Sequence, residues 1–372
     1  MRANKPSFVV VGLALFSMFF GSGNLIFPLM IGRDAGASYA ISAFGFVLTA
    51  VIVPAFGILA IAFAEGSYER IFEKTFPRKI SLALIFIVLL SFIPFGAGPR
   101  CVVLSHASLK TFMPMPSLWI FSVLFLAVVG FLVNDKSHLL DVLGKILTPL
   151  LLISIAVMVI SGFLYGEIDP PTASNLDLFI YSLFEGYNTQ DLLSSLFFSS
   201  SLIMLLKTSY TNRRSLIVTV LKGSVVGIIL LAGLYILLIA ASSLHSDVLI
   251  GHSGIDLVSI LARHTLGPHL GLVASIAVAL ACLTTAVALI MAFSQFLATH
   301  VLTGRYQKFA LPVSLISVYF TALLEFDGIM AIISPMMKVI YPIILIVVFR
   351  YLLDLWLNYR HNIGSHLTRK NH

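Results

Sequence analysis

Apolar stretches of about 20 residues or more recur almost from end to end of this chain, the length a helix needs to cross a hydrocarbon layer of about 30 Å. Of 372 residues, 59% are hydrophobic and only 10% are charged, and the mean hydropathy of +1.03 lies far outside the soluble globular range. The chain therefore reads as an all-α polytopic membrane protein. Ten spans are predicted, near residues 8–32, 40–64, 80–106, 117–133, 139–165, 176–206, 214–243, 270–299, 308–325 and 329–357. Short alternating strands of the outer-membrane barrel kind do not occur. The first span is too long for a secretory h-region of roughly 7 to 15 residues and is read as a retained helix.

The 23 Lys and Arg residues set the orientation. With the N-terminus inside, most fall on inner segments, and only Arg33, Arg100, Lys110, Arg263 and Lys338 lie outside or within spans. Both termini are predicted to be cytoplasmic, in an inner (plasma) membrane. The net charge of +7 is spread over short loops, so it reports topology rather than affinity for nucleic acid. The two cysteines, Cys101 and Cys282, fall inside spans and suggest neither a disulfide framework nor a metal cluster. The histidines lie mostly in loops and read as solvated surface.

The most polar central connection, Gly166-Glu167-Ile168-Asp169-Pro170-Pro171, separates five spans from five. Five is odd, so the second half enters from the opposite side, the topology of an inverted repeat. The expected organisation is a first five-helix repeat over 1–166, a periplasmic connection over 167–175, a second repeat over 176–358 and a cytoplasmic tail over 359–372. A mildly amphipathic piece over 255–264 could form a short surface helix serving as an external lid.

Two spans are interrupted near their middles. Span 1 reads Phe19-Phe20-Gly21-Ser22-Gly23-Asn24-Leu25-Ile26-Phe27-Pro28, and span 6 reads Glu185-Gly186-Tyr187-Asn188-Thr189. Unwound backbone in lipid costs several kcal/mol per free polar group unless protein or a water-filled cavity satisfies it. At the first break the forward half-helix, beginning near Asn24, offers free N–H groups and a positive dipole end to an anion such as a carboxylate. The carbonyls behind it, around Ser17 to Phe20, suit a cation. The bland alternative is helix packing by Gly21 and Gly23, with Asn24 bonding a neighbour. In span 6 the half-helix ending near Glu185 and Gly186 can receive an ammonium group, with Phe184 and Tyr187 beside an apolar body. Asn188, Thr189 and Asp191 read as N-capping groups, and capping is the main role expected of Asp191.

Span 8 carries Ala281-Cys282-Leu283-Thr284-Thr285, which puts residues 281, 284 and 285 on one face. Hydroxyl and carbonyl oxygens suit an alkali cation, although threonines also bond back to their own helix. Arg100, after Gly96-Ala97-Gly98-Pro99, is either a gate or structural charge or a side chain snorkelling to the outer interface. Glu65 and Lys338 have no assignable partners in the sequence. Neither paired aspartates, a nucleophile with its base nor a His-Glu-x-x-His zinc motif appears, so no enzyme is expected.

Taken together, Gly21-Ser22-Gly23-Asn24-Leu25-Ile26-Phe27-Pro28, Glu185-Gly186-Tyr187-Asn188-Thr189-Gln190-Asp191, Cys282-Leu283-Thr284-Thr285-Ala286, Gly98-Pro99-Arg100 and Tyr341-Pro342 resemble the branched-chain amino acid:cation symporters. That family lies within the amino acid–polyamine–cation superfamily. The resemblance implies the leucine transporter-type fold, ten helices as five plus five with helices 1 and 6 broken. It further implies sodium-coupled uptake of Leu, Ile or Val, with sodium as coupling ion and no organic cofactor. The substrate would lie against Gly21, Ser22, Gly23, Asn24, Phe184, Glu185, Gly186 and Tyr187. Sodium would be held by the carbonyls of Ser17, Phe20 and Ala281 and the hydroxyls of Thr284 and Thr285, with a second sodium site at Phe19 and Asn24. The chain departs from the family in having ten spans where twelve are usual, and Ser199-Ser200-Ser201 where a Phe-Gly pair is expected. Asn188 and Gln190 replace the usual apolar Leu and Met. The rival reading is a proton-coupled transporter or exchanger of other small neutral amino acids or amines.

Overall fold

The computed structural model describes residues 6–134, 148–207, 210 and 212–369, and every regular element among them is helical. Arg2, Lys5, Lys136, Lys145 and Lys370, and the first part of the predicted fifth span, lie outside the described residues. Six runs are long and apolar enough to cross a membrane: Gly23–Phe63, Arg78–Lys110, Asn175–Leu206, Arg213–Ser243, Leu257–Val301 and Glu325–Asn358. Phe8–Phe19, Leu118–Asn134 and Ile153–Phe163 are shorter apolar helices. Their outward faces carry exposed Phe44, Phe131, Ile229, Phe320 and Ile346, a surface that lipid tolerates and water does not.

The elements run α1 (Phe8–Phe19), α2 (Gly23–Ala35), α3 (Tyr39–Val47), α4 (Val53–Phe63), α5 (Tyr68–Glu73), α6 (Arg78–Phe92), α7 (Gly98–Lys110), α8 (Leu118–Asn134) and α9 (Thr148–Tyr165). They continue with α10 (Asn175–Asn188), α11 (Asp191–Leu206), α12 (Arg213–Ser243), α13 (Ser246–Leu249), α14 (Leu257–Phe296), α15 (Ala310–Ala322) and α16 (Glu325–Arg369). Single π-helical turns join α3 to α4 (Leu48–Ile52) and α6 to α7 (Ile93–Ala97), and another, Leu297–Val301, follows α14. The second contains Pro94 and precedes Pro99, and neither proline has an N–H to give to an α-helical ladder.

α1 and α2 both pack along α12, while α3 and α4 pack along α10 and α11. α7 lies against α14, which also receives α8, α9 and α15, and α16 packs on α7 and the π turn before it. Close approach along the first seam needs glycine: a methyl group on Gly32 would collide with the carbonyl oxygen of Ile239 in α12.

The predicted lid is helical. α14 is sharply kinked at Gly267, whose φ of +73° favours glycine, and the piece before the kink buries Leu257, Val258, Leu261 and Ala262. Two histidines depart from the solvated reading. His245 is buried, a ring nitrogen 3.0 Å from the Gly162 carbonyl oxygen and its ring 5.1 Å from that of His264, and His106 lies 2.9 Å from the Pro116 carbonyl oxygen. Glu65 finds partners in Arg213 at 3.0 Å and Lys207 at 3.9 Å, tying the end of α4 to the α11–α12 connection.

The glycine seam gives a paired expectation. Gly32→Ala should destabilise the protein by about 1–3 kcal/mol through overpacking. Gly233→Ala, where an added methyl meets nothing within 4 Å, should be neutral or stabilising. Thermal unfolding in detergent, followed by size-exclusion chromatography, reads both.

Candidate substrate and ion site

The two breaks meet. α1 stops at Phe19, Phe20 turns to φ −73° and ψ 95°, and α2 begins at Gly23. A helix start leaves its first N–H groups without intrahelical acceptors, here at Ser22, Gly23 and Asn24. The Asn24 side chain turns back so that its Oδ1 accepts the Gly21 N–H at 3.0 Å. Its Nδ2 faces the other broken rod, donating to both carboxylate oxygens of Asp191 at 3.1 Å. Tyr235, from the middle of α12, donates its hydroxyl to the same carboxylate at 2.6 Å and also touches the Asn24 amide. All three side chains are buried, so a carboxylate at the centre of the molecule is held by an amide and a phenol from two other helices. Among the described residues it has no ion-pair partner.

The second break lies later than the sequence predicts. α10 continues through Asn188, and the chain turns at Thr189 and Gln190, where Gln190 takes φ +64°. Thr189, not Asp191, does the capping: its Oγ1 accepts the Asp191 N–H at 3.2 Å and donates to the Gly186 carbonyl at 2.8 Å. The carbonyl end of α10 is covered by Arg100 from the first turn of α7. Its guanidinium donates to the Asn188 carbonyl at 2.6 Å, to Gln190 Oε1 at 2.5 Å and to the Gly96 carbonyl at 3.3 Å, and sits 5.4 Å from the centre of the Phe27 ring. Arg100 is fully buried, so it does not snorkel.

Between the breaks lies a cavity of about 20 Å³. That is room for a water molecule and far too little for an aliphatic amino acid. Gly21, Ser22, Gly23 and Asn24 form one wall, Thr189, Ser194 and Phe198 another, Phe92, Ala97 and Arg100 a third, and Thr285 and Leu289 of α14 a fourth. Two larger vestibules of about 510 and 520 Å³ lie toward opposite ends of the α6–α7 rod, one beside Val103 and Lys110, the other beside Leu89. Stacked and edge-on rings of Phe92, Phe197 and Phe198, with centroids 6.0 to 6.3 Å apart, close the cavity from the second.

The sequence matches the family model described as "Branched-chain amino acid transport protein" over residues 4–367. The chain belongs to this family. A protein of Staphylococcus aureus (strain bovine RF122 / ET3-1), named as a candidate branched-chain amino acid carrier, is 31% identical over 373 aligned positions, covering 93% of this chain and 81% of the relative. The fold is similar to that of MhsT, solved in complex with L-phenylalanine, with a TM-score of 0.59 at 17% identity, covering 91% of this chain and 87% of that one. It is also similar to a Na+-coupled sialic acid symporter, with a TM-score of 0.54 at 14% identity, covering 86% and 74% of the two chains. The protein is accordingly a multi-pass membrane transporter and not an enzyme.

In this member of the family, the cavity brings together Phe19, Gly21, Ser22, Gly23, Asn24, Arg100 and Thr285, all of them residues singled out in the sequence. The four span 6 residues and the remaining sodium-site residues do not line it. Phe184 is over a third exposed, edge-on to Tyr187 and beneath the Lys338 ammonium at 5.4 Å, while Glu185 accepts from the Asn188 amide at 3.0 Å. Gly186 is pressed against Thr49, which leaves no room for a side chain, and Tyr187 stacks on Tyr341 at 4.3 Å. Thr284 donates back to the Ala281 carbonyl at 2.8 Å, the local bond that membrane threonines commonly make. Ser17 is half-buried and Phe20 buried beside it.

Sequence reasoning missed Tyr235, although it is the one aromatic residue in the run from Arg213 to Ser243, and a lone phenol in an aliphatic helix needs a partner. Replacing Asp191 by Leu would take the acceptor from the Tyr235 hydroxyl proton and from the Asn24 amide, leaving the two only each other, a loss of about 1–3 kcal/mol for each buried group left unsatisfied. Tyr235→Phe removes one donor and keeps the ring, so it should destabilise by less. Thermal melts of the two purified variants should rank in that order.

Proposed function

We propose that this protein is a ten-span, five-plus-five inverted-repeat symporter that carries Leu, Ile or Val into the cytoplasm together with sodium, both termini lying inside. The repeats are residues 1–166 and 176–358, joined by 167–175 outside, with 359–372 as an inner tail. The helix partners support the repeat: span 1 (α1–α2) packs on span 7 (α12) as span 6 (α10–α11) packs on span 2 (α3–α4), an exchange obtained by adding five to each number. The observation that carries the reading is the meeting of two broken helices and Thr285 at one buried cavity.

Binding follows from the half-helix ends. The substrate carboxylate lies against Gly21 and takes the N–H groups of Ser22, Gly23 and Asn24, where the positive end of α2 favours an anion. The ammonium takes the carbonyl end of α10, one residue past Tyr187 and the predicted Phe184–Gly186 stretch. Sodium is held behind the first break by the carbonyls of Ser17, Phe20 and Ala281 and the hydroxyls of Thr284 and Thr285, with Phe19 and Asn24 as a second site. The Na+-coupled sialic acid symporter, which shares the fold, supports sodium as the driver. Admitting leucine requires spans 1 and 6 to separate from spans 3 and 8, and the two vestibules supply routes to opposite faces of the membrane.

One observation favours the rival of proton coupling: the Asp191 carboxylate is buried without a cation in ion-pair reach among the described residues. Both readings meet in one assay. In proteoliposomes, leucine uptake should collapse when external sodium is replaced by choline at constant pH. Uptake that survives choline and follows an imposed pH gradient would instead establish the proton-coupled rival. Thr285→Ala should raise the sodium concentration for half-maximal uptake by roughly 10- to 100-fold, the equivalent of losing a polar contact to a charge of about 1.5–3 kcal/mol. Asn24→Leu should abolish uptake. Normal sodium-driven uptake by both variants would remove the assignment.

A further inference from the structure

The carbonyl end of α10 is already occupied. Arg100 fills it with a full positive charge: the residue lines the cavity, and its guanidinium donates to the Asn188 carbonyl, whose residue does not line it. Among the described residues no carboxylate pairs with Arg100. Its charge is met by the Asn188 and Gly96 carbonyls, the Gln190 side chain and the face of Phe27. Carbonyls at a helix C-terminus carry the negative end of the dipole, and an N–H cation is what they accept best. The chain has therefore built a ligand for this end from its own side chain. Gln190 strengthens the arrangement, since its unusual left-handed backbone brings Oε1 to the guanidinium at 2.5 Å, and its Nε2 is itself held by the Ser91 carbonyl at 3.4 Å.

We propose that Arg100 is a resident substitute for the substrate's ammonium group: it holds the carbonyl end of α10 while the carrier is empty and yields that place to an incoming amino acid. This rests on the reading of α10 as the ammonium end of the site. A transporter completing net uptake must return empty, and closing over bare carbonyls in a site of low dielectric is costly. With Arg100 in place the empty site closes with its polar groups satisfied. Exchange, in which the carrier returns loaded, has no such need. Arg100 and substrate also compete, so whatever strengthens the arginine's hold weakens substrate binding by the same free energy.

The test compares net sodium-driven leucine uptake with leucine–leucine exchange in proteoliposomes, using purified wild type, Arg100→Gln, Arg100→Lys and Gln190→Asn. Gln190→Asn keeps a residue that tolerates the left-handed conformation but is too short to reach the guanidinium. Arg100→Gln should lower net uptake at least about tenfold more than exchange, the equivalent of one charge-assisted contact. Arg100→Lys should restore much of that ratio, because an ammonium can take the same carbonyls. Gln190→Asn should lower the leucine concentration for half-maximal exchange by at least about threefold, a tightening caused by weakening the competitor.

Equal losses in both modes by a stably folded Arg100→Gln would overturn the proposal, as would a half-saturating leucine concentration in exchange that rises with Arg100→Gln, since the arginine would then bind substrate. Should Arg100→Gln melt early in detergent, Gln190→Asn decides alone, and an unchanged or higher half-saturating concentration counts against it. Wild type that carries no leucine would instead reject the proposed function, leaving the two failures distinct.

Discussion

Everything at the centre of this transporter depends on a carboxylate that, among the described residues, has no cation to pair with. Burying an ionised group costs several kcal/mol even after relaxation, and Asp191 is held there by the Asn24 amide and the Tyr235 hydroxyl. The arrangement ties three elements together: Asn24 sits in the first turn of α2, Asp191 starts α11, and Tyr235 lies on α12, against which α2 is packed. The charge lies behind the cavity wall rather than in it, since Asn24 lines the cavity and Asp191 does not. It fixes the shape of the site without spending its own oxygens on a ligand.

The polarity of the cavity follows from where the two rods unwind. The forward half of the first rod presents N–H groups, and the rear half of the second presents carbonyls. Those carbonyls are met by Arg100, and the π turn that precedes α7 is what lets the arginine reach them. It brings Gly96 against the end of the Gln190 side chain, and a methyl group there would also collide with the Ser91 carbonyl. A strictly α-helical third rod would carry the guanidinium to another face.

Much of this was legible in the sequence, for a physical reason. Gly21, Ser22 and Gly23 are poor helix formers at a depth where lipid offers no substitute hydrogen bonds, so the first break announces itself. The second does not. Gly186 draws attention, but it is a glycine because Thr49 presses on it, and the chain unwinds four residues later, at Gln190 in the left-handed region. No local propensity points to Gln190. Its conformation is bound up with Arg100, nearly a hundred residues earlier, and only tertiary structure brings the two together. The same distance hides the role of Asp191, which by position alone is a good capping residue, and the inward turn of Arg100, since snorkelling and burial differ only in what neighbours offer.

The seam along which such a molecule would open is mostly indifferent to sliding. Spans 1 and 6 are bound to spans 7 and 2 by long helical contacts, and α7 is bound to α14 in the same way. Across the cavity between these two sets, Phe92 meets Phe198 edge-on, and the Cys101 thiol donates a weak hydrogen bond to the Ser22 hydroxyl at 3.8 Å. Apolar faces can shift by a few ångströms and repack at little cost, because no single contact is worth much. The hydrogen bonds from Arg100 to Asn188 and Gln190 differ in kind. They are short, charged and shielded from water, so they are made or broken rather than stretched. A seam that joins apolar faces through a few discrete polar links, the arginine's the strongest of those named, favours two settings over a continuum. That is the property a carrier needs if its site is never to open to both sides at once.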